Sequence, residues 1–167
     1  IHVHRIATKG GSLRYFWARN ESKWVVNKSV SQLTSKELLA KINPRKFVEY
    51  NNQINIIKVD LKNFLDKYKG CKIVGYGASA TSTTLISHFE LQDYFSYLVD
   101  DNIDKIGTYT PGYNIPVYSS QKLIQDIPDV IVILAWRFKE PILKNLTSFN
   151  GVIVTPLPNF KVENNDN

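Results

Sequence analysis

The second half of the chain alternates short, continuous apolar runs with segments of helical periodicity. The four apolar runs occupy residues 72–76, 95–99, 130–135 and 151–154. The helical segments between them centre on residues 85–89, 122–124 and 139–146. Strands that are apolar throughout are typical of a parallel sheet covered by helices on both faces. The pattern therefore predicts a Rossmann-like α/β core over residues 71–160.

A long amphipathic helix is predicted ahead of this core. Asn43 and Pro44 indicate its start, with asparagine as N-cap and proline at the first helical position. Seven apolar residues then recur at spacings of three and four: Phe47, Tyr50, Ile54, Ile57, Leu61, Phe64 and Tyr68. This spacing places all seven on one face, and Gly70 suits the C-terminal cap. We expect that face to pack on the sheet, because three heptads are few for a coiled coil.

The N-terminal residues complete the predicted architecture. Residues 12–19 indicate a strand entered through Gly10-Gly11, and residues 20–33 indicate a mobile loop. Residues 34–37 form a capping box before a short helix through residues 38–42. The predicted organisation is an N-terminal strand, short helix and long helix in residues 1–70, the core in 71–160, and a disordered tail in 161–167.

The turn after the first core strand carries the clearest ligand signal. Gly75, Gly77 and Ala80 have the spacing of a dinucleotide-binding turn. Glycine lets the backbone approach a ligand closely, and the amides and dipole of a helix N-terminus favour a phosphate. A tight turn required only by packing is the competing interpretation. The predicted diphosphate site comprises Gly77, which leaves space for the ligand, and Ala78, Ser79, Thr81, Ser82 and Thr83, which offer amides and hydroxyls.

Acidic and aromatic residues are predicted to gather at the same edge of the sheet. Parallel strands all end on one edge, so Gly77, Asp101, Trp136 and Pro156 should cluster where such sheets bind ligands. We assign Asp100 and Asp101 to hydroxyl groups of a sugar or ribose, because two carboxylates beside a phosphate would repel it.

The beginning of the chain and the single cysteine are weaker candidates. Arg14 lies among basic and aromatic residues that are as consistent with a site as with an ordinary half-buried strand. His2 and His4 would share a face of an extended segment, but no Cys, Asp or Glu accompanies them, so we predict no metal there. Cys71 adjoins the first core strand, and we expect it to be buried and inert.

Composition narrows the choice of partner. The chain has 167 residues, 43% of them hydrophobic, and 21 Lys and Arg against 15 Asp and Glu, a net charge of +6. This charge suits an anionic small molecule, whereas the lack of a basic tract argues against nucleic acid. No apolar run approaches the roughly 18 residues of a membrane span. A single cysteine permits no internal disulfide, and we expect a cytoplasmic protein without membrane contact. Since the chain has no methionine, we also expect a piece of a longer polypeptide.

The chain contains four segments in a defined order: KGGSLR, GYGASATSTTLI, LVDDNIDKIGTYTPGYNIPV and ILAWRF. Together they resemble the C-terminal domain of the sugar C-methyltransferases. Those enzymes transfer a methyl group from S-adenosylmethionine to a carbon of a nucleoside-diphosphate keto-sugar. The resemblance implies that a zinc-binding domain and a methyl-donor-binding domain precede this one. It also implies that the nucleotide sugar lies between the donor domain and this domain.

Three residues of the predicted substrate site lie within these segments. Arg14, Tyr109 and Trp136 belong to the first, third and fourth of them. Two positions depart from the family pattern: Lys9 replaces the usual histidine, and Thr81 replaces a lysine that would lie beside a phosphate. The hydroxyls of the turn partly compensate for the missing cation, because they can donate hydrogen bonds to an anion.

The sequence therefore predicts a substrate-binding domain of a methyltransferase that acts on nucleotide sugars. Carbon methylation needs a base and a methyl donor held in line, and neither is evident here. We expect the isolated chain to be inactive. One alternative is an NAD(P)-binding oxidoreductase domain, because Asp100 and Asp101 follow the glycine turn at about 20 residues. Another is a non-catalytic module that dimerises through the long helix.

Overall fold

The chain forms two compact units. The structure, a computed structural model, describes residues 1–8 and 11–163, so Lys9, Gly10 and the tail from residue 164 lie outside the described residues. One unit is Ile1–Gln53, and the other runs from Ile54 onward. The boundary between them falls inside a helix.

The N-terminal unit consists of a hairpin and two helical segments. Strands β1 (His2–Ile6) and β2 (Ser12–Phe16) pair antiparallel. Helix α1 spans Lys28–Leu39, and the first part of α2, which spans Pro44–Asp66, also belongs to this unit. The strand predicted at residues 12–19 is present but shorter.

Helix α1 corrects the predicted loop at residues 20–33. The side chain of Asn27 caps the helix by accepting a hydrogen bond from the Ser29 amide at 2.9 Å. Thr34, predicted as the N-cap, lies inside the helix instead, and its hydroxyl donates to the carbonyl of Val30 at 3.0 Å. The capping pattern at residues 34–37 is therefore a chance match, because a better cap lies two turns earlier.

Helix α2 begins as predicted. The Asn43 side chain accepts a hydrogen bond from the Lys46 amide at 3.2 Å, and Pro44 is the first helical residue. In the second unit, Ile57 and Leu61 are buried in a core cluster. Tyr50, by contrast, is 64% exposed. The predicted apolar face therefore packs as expected only along its C-terminal part.

The second unit is built on a six-stranded sheet with the order β5-β4-β3-β6-β7-β8. The first five strands are parallel, and β8 is antiparallel to β7. The strands are β3 (Ile73–Tyr76), β4 (Tyr97–Asp100), β5 (Val117–Ser119), β6 (Val130–Ile133), β7 (Val152–Thr155) and β8 (Lys161–Glu163). The helices are α3 (Ala80–Phe89), α4 (Lys122–Asp126) and α5 (Lys139–Asn145). The predicted α/β class, a mainly parallel sheet flanked by helices, is confirmed.

Two strands of this sheet were not predicted. Ser119 is the last residue of β5, and its hydroxyl accepts from the Gln121 amide at 3.3 Å. Residues 161–163 form β8, where the sequence predicted a disordered tail. Both strands are only three residues long and lie at the two edges of the sheet.

Alternate residues of the strands point to opposite faces of the sheet and belong to two separate core clusters. Helices α2 and α3 cover one face through residues that include Leu61, Leu65, Ile86 and Phe89. Helices α4 and α5 cover the other through Leu123, Ile142 and Leu146. This arrangement accounts for the unbroken apolar runs, since each strand is buried on both sides.

The connections reverse direction at β3. The chain runs from β3 through α3 to β4 on one side, and it returns through α4 to β6 on the other side of β3. The carboxyl ends of β3 and β6 therefore flank a topological switch point, the place where open α/β sheets bind ligands.

Two further expectations concern the surface. Cys71 is exposed, not buried as predicted, because β3 begins two residues later. Among the described residues, no helix has the length and apolar character needed to cross a membrane.

Candidate functional site

Gly77 allows a close backbone contact between β3 and β6. Its φ is +107°, and a Cβ placed on it would lie 2.5 Å from the Cβ of Ala135. Its amide donates to the carbonyl of Val99 at 2.7 Å. The space predicted for a phosphate is therefore filled by Ala135, two residues after the end of β6. Packing alone explains why residue 77 is glycine.

Gly75 has a similar structural role. A Cβ there would lie 2.5 Å from Leu98 and 2.6 Å from Leu134, both in the core cluster under α3. The two glycines of the predicted fingerprint thus bring strands and core side chains together. They shape the turn without themselves lining a ligand cavity.

Asp100 fastens the turn to the end of β4. Its carboxylate accepts hydrogen bonds from the Ala78 amide at 2.7 Å, the Asn102 amide at 2.9 Å and the Lys105 ammonium at 3.0 Å. Burial disfavours its charge, but these three donors outweigh burial and hold the pKa of Asp100 below its ordinary value. The sequence predicted that the Ala78 amide would be free to bind a ligand. In the structure Asp100 already accepts its hydrogen bond. Lys105, which the sequence analysis missed, neutralises the carboxylate beside the turn.

Ser79 organises the hydroxyls at the start of α3. As N-cap it accepts from the Ser82 amide at 3.2 Å, and its Oγ lies 2.8 Å from Thr81 Oγ1 and 2.9 Å from Ser82 Oγ. Ser82 is completely buried, so its side chain does not face a ligand. Thr81 is exposed. The amides of Ala80 and Thr81 belong to the first turn, where a helix provides no backbone acceptor of its own.

Asp101 points to a different neighbour from Asp100. It accepts a hydrogen bond from the hydroxyl of Tyr76 at 2.8 Å and is exposed. Burial, the hydrogen bond to Asp101 and its negative charge raise the pKa of Tyr76 to about 12. The tyrosine therefore stays a neutral donor and fixes one oxygen of the carboxylate.

A cation that the sequence analysis missed lies at the end of β6. Trp136 begins a short 3₁₀ helix, Trp136–Phe138, and packs partly against the core. The guanidinium carbon of Arg137 lies 4.8 Å from the centre of the Trp136 ring, a cation–π contact. The ILAWRF motif contains this arginine, but only the structure reveals that it stacks on its neighbour.

The remaining candidates lie elsewhere. Tyr109 is 65% exposed in the loop before β5 and forms an isolated bridge with Pro116. Arg14 belongs to the N-terminal unit, where it is exposed on β2 opposite His4. Gly77, Ala78, Ser79, Thr81 and Asp100 are joined by the contacts described above.

The described residues contain no group of three or more His, Cys, Asp or Glu side chains that could hold a metal ion. His2 uses its Nδ1 in a 3.0 Å hydrogen bond with the hydroxyl of Ser29.

Comparison with known proteins identifies relatives of the sequence. Residues 7–158 match the family described as the C-methyltransferase C-terminal domain. C-methyltransferase NovU from Streptomyces niveus is 24% identical over 169 residues, which cover 97% of this chain but 40% of NovU. The chain thus spans 40% of the length of this curated relative. Among solved structures, UDP-D-quinovosamine 4-dehydrogenase from Vibrio fischeri aligns with 56% of this chain and 93% of that chain, at 16% identity and a TM-score of 0.44.

Proposed function

Since the chain belongs to the C-methyltransferase C-terminal domain family, we propose that it is the part of a sugar C-methyltransferase that binds a nucleoside-diphosphate sugar. The observation that carries this proposal is the set of groups at the switch point between β3 and β6. The first turn of α3 offers amides and hydroxyls on one side, and Arg137 offers a cation on the other.

The charges at this edge suit a diphosphate. Asp100 would repel it, but the ammonium of Lys105 lies 3.0 Å from that carboxylate and cancels its charge. Arg137 adds a second cation, which offsets the charge of Asp101 at this edge, and stacking on Trp136 limits the freedom of its side chain. The ligand would place its phosphates over Ser79, Ala80 and Thr81.

The neutral parts of the ligand would use the neighbouring side chains. Asp101 has one carboxylate oxygen held by Tyr76, which leaves the other available to a sugar or ribose hydroxyl. Trp136 offers a ring face for the base or the sugar, and Tyr109, in the loop before β5, stays a predicted contact. Arg14, in the N-terminal unit, stays a prediction of the sequence.

The chemical step would take place with groups outside this chain. S-adenosylmethionine supplies an electrophilic methyl group, and we assign its site, the catalytic base and any zinc to the remaining part of the enzyme. This chain would bind and orient the sugar nucleotide. The isolated chain would then be inactive, and the whole enzyme would work in the cytoplasm.

The NAD(P) alternative has lost its main support. Its fingerprint required Gly77 to face a pyrophosphate and an acid at the end of β4 to hold a ribose. Gly77 instead contacts Ala135, and both oxygens of Asp100 are engaged by protein donors, so Asp101 is the acid left to hold a ribose. The family match favours the methyltransferase over the oxidoreductase.

Two substitutions of one exposed residue test the site. Thr81→Glu puts a negative charge where the diphosphate should bind, and Thr81→Lys puts a positive charge there. Negative charge near a helix N-terminus stabilises the helix, and positive charge there destabilises it. Thr81→Glu should therefore favour folding while it weakens binding, and Thr81→Lys should do the reverse. We expect Thr81→Glu to weaken binding of UDP-glucose or dTDP-glucose about tenfold and Thr81→Lys to tighten it several-fold.

Calorimetric titration measures both effects, and circular dichroism checks the fold. Ser87→Glu, an equal charge change on an exposed residue at the other end of α3, is the control and should leave binding unchanged. A folded Thr81→Glu variant that binds like the wild type would exclude the turn as the site. Absence of binding to the wild-type chain would contradict the proposed function itself.

A further inference from the structure

The two acids at the end of β4 differ in how much of each carboxylate the protein already uses. Asp100 has both oxygens engaged by the three donors described above. Asp101 accepts a hydrogen bond through its Oδ2 from the hydroxyl of Tyr76 at 2.8 Å, and the residue is exposed. Asp101 is therefore the acid at this edge of the sheet whose second oxygen, Oδ1, can accept a hydrogen bond from a ligand.

Tyr76 is a core residue whose one polar side-chain atom lies at the strand end. It is the last residue of β3, is 2% exposed and belongs to the core cluster under α4 and α5. The polar neighbours of its hydroxyl are Asp101, Ser120 and Asn145. A hydroxyl held by a packed ring has little freedom to move, so it keeps the carboxylate of Asp101 in one orientation. A carboxylate that is already ordered loses less freedom when a ligand binds.

A second tyrosine–aspartate pair lies at the opposite edge of the sheet and shows the difference. Tyr94, just before β4, donates to Asp66 at 2.7 Å. That acid also pairs with the ammonium of Lys69 at 3.2 Å, so a cation balances its charge. The donor that orients Asp101 is a neutral hydroxyl, which fixes the carboxylate without cancelling its charge. A charged acceptor forms the stronger hydrogen bonds with a ligand hydroxyl.

The reaction indicates which part of a nucleotide sugar faces Asp101. The reacting carbon belongs to the sugar, and the proposed function assigns the methyl donor to a part of the enzyme outside this chain. The sugar must then project away from the strand ends, and the nucleoside stays against the domain. In open α/β sheets with a phosphate at the first helix, an acid after the next strand accepts from the ribose. Elements β3, α3 and β4 have this order, and Asp101 directly follows β4.

Ribose and deoxyribose differ by one hydroxyl group, at the 2′ carbon. A site built to hydrogen-bond a hydroxyl discriminates strongly against the analogue that lacks it, because the acceptor is then left unpaired. From the second oxygen of Asp101 and its buried tyrosine partner, we propose that this domain selects a sugar carried by a ribonucleotide over one carried by a 2′-deoxyribonucleotide. Asp101 accepts a hydrogen bond from the ribose 2′-hydroxyl, and Tyr76 is a positioning residue. This inference rests on the proposed function, because it assumes a nucleotide sugar at the β3–β6 switch point.

Two ligands that differ only at that hydroxyl test the proposal: UDP-glucose and its 2′-deoxyribose counterpart, dUDP-glucose. Calorimetric titration of the 167-residue chain should give a Kd at least about tenfold lower for UDP-glucose. Asp101→Ala should bring the ratio of the two Kd values close to one. Removal of a negative charge beside the diphosphate changes both affinities by the same factor, so the ratio reports on the hydroxyl contact.

Matched variants control for charge and for packing. Asp104→Ala removes the charge of another exposed acid three residues further on and should leave the ratio unchanged. Tyr76→Phe keeps the buried ring and removes only the hydroxyl, and it should lower the ratio about threefold because the carboxylate must then be ordered on binding. Tyr94→Phe makes the same change in the pair with Asp66 and should not alter the ratio.

Three results would overturn the proposal, with circular dichroism to confirm that each variant is folded. One is equal affinity of the wild-type chain for the two ligands, or a preference for dUDP-glucose. Another is a ribose preference that persists in Asp101→Ala, because a different group would then bind the 2′-hydroxyl. The last is an unchanged ratio in folded Tyr76→Phe, which would reduce the tyrosine to a structural role. If that variant does not fold, Asp101→Ala still decides whether the acid selects the ribose.

The same titrations keep this proposal separate from the proposed function. If neither ligand binds the wild-type chain, the proposed function fails, and the ribose preference fails with it. If both ligands bind equally well and Thr81→Glu weakens both, the switch point remains the site and only the ribose preference is wrong.

Discussion

The two units of the chain differ in how far they bury the side chains that the sequence marks as apolar. In the second unit, helices cover both faces of the sheet and two core clusters form. In the N-terminal unit, α1 has no buried residue and Val3 alone is buried among the described residues. Helix α2 contributes to both units with one continuous apolar face. The difference teaches that helical periodicity identifies an apolar face but does not show how much of that face the fold buries.

The largest expected contrast lies within α2. Ile57→Ala should cost about 2–5 kcal/mol in the free energy of unfolding, because it truncates a side chain in the core cluster. Phe47→Ala removes a larger side chain from the same helix, but one that is 67% exposed, and should change stability by less than about 0.5 kcal/mol. Urea unfolding followed by circular dichroism measures both. Equal costs would mean that the N-terminal part of α2 is also packed in a core.

Two glycines with positive φ give the next contrast. Gly11 in the N-terminal unit has φ +115°, and its nearest neighbour, an atom of Arg5, would lie 3.8 Å from an added Cβ. Gly77 has φ +107° and would place that atom 2.5 Å from Ala135. Backbone strain of about 1–2 kcal/mol should affect both alanine variants, and a steric clash of about 1–3 kcal/mol should be added only at Gly77.

Thermal unfolding of the Gly11→Ala and Gly77→Ala variants measures the difference. Similar losses in both would show that the contact between Gly77 and Ala135 relaxes easily. In that case the glycine turn could again be interpreted as a ligand feature.

An acid-dependent contribution to stability should come from Glu90. Hydrogen bonds from the ammonium groups of Lys58 and Lys62, at 2.7 and 3.0 Å, lower the pKa of Glu90 from its ordinary 4.5 to about 2. An acid with a lowered pKa in the folded state stabilises the protein above its unfolded pKa, and this contribution is lost as the pH falls through the folded value. Stability should therefore decrease between about pH 4.5 and pH 2.

Glu90→Gln should reduce that acid dependence slightly, because the Glu90 side chain is 61% exposed and its charge is screened by solvent. Glu49→Gln is the counterpart in the N-terminal unit, where the acid pairs with Arg45 and Lys46 within one helix. It should have no measurable effect on unfolding. Denaturant titrations at several pH values measure the free energy of unfolding of both variants. If the two variants changed its pH dependence equally, Glu90 would contribute no more to stability than Glu49 does.

The smallest expected effect is the heat released when S-adenosylmethionine is added to the chain. Neither unit offers a second glycine turn, so S-adenosylmethionine at millimolar concentration should give no saturable heat with the 167-residue chain. Calorimetry is the measurement. Clear saturation would overturn the division of donor and substrate between separate parts of the enzyme.

The long buried elements could be predicted because their apolar sequence pattern matches the burial that they have in the fold. Strands β3 and β6 are apolar throughout and buried on both faces, and the start of α2 is marked by Asn43 and Pro44. The start of α1 was missed because Asn27 follows exposed apolar residues and no buried face marks the helix. Strands β5 and β8 were missed because three residues are too few to show the alternation of a strand. Only their hydrogen bonds to β4 and β7 define them as strands.

The candidate site was predictable in location but not in contacts. The strand order brings Ala78 and Trp136 to one edge, as parallel strands must. The bond from Ala78 to Asp100, the burial of Ser82 and the stacking of Arg137 depend on side-chain geometry that spacing does not specify. The resemblance drew attention to Thr81, whereas the cations of Lys105 and Arg137 were not recognised from the sequence.

Strand β8 has a consequence for how copies of the protein behave at high concentration. An edge strand with unpaired backbone groups is a template for intermolecular sheets and aggregation. Here the edge carries Glu163, a charged residue that is only 8% exposed and is held by Lys139 at 3.2 Å and Lys161 at 2.8 Å. A strand added from another molecule would have to bury Lys161, whose side chain is 63% exposed. The short, charged strand therefore disfavours growth of the sheet at this edge.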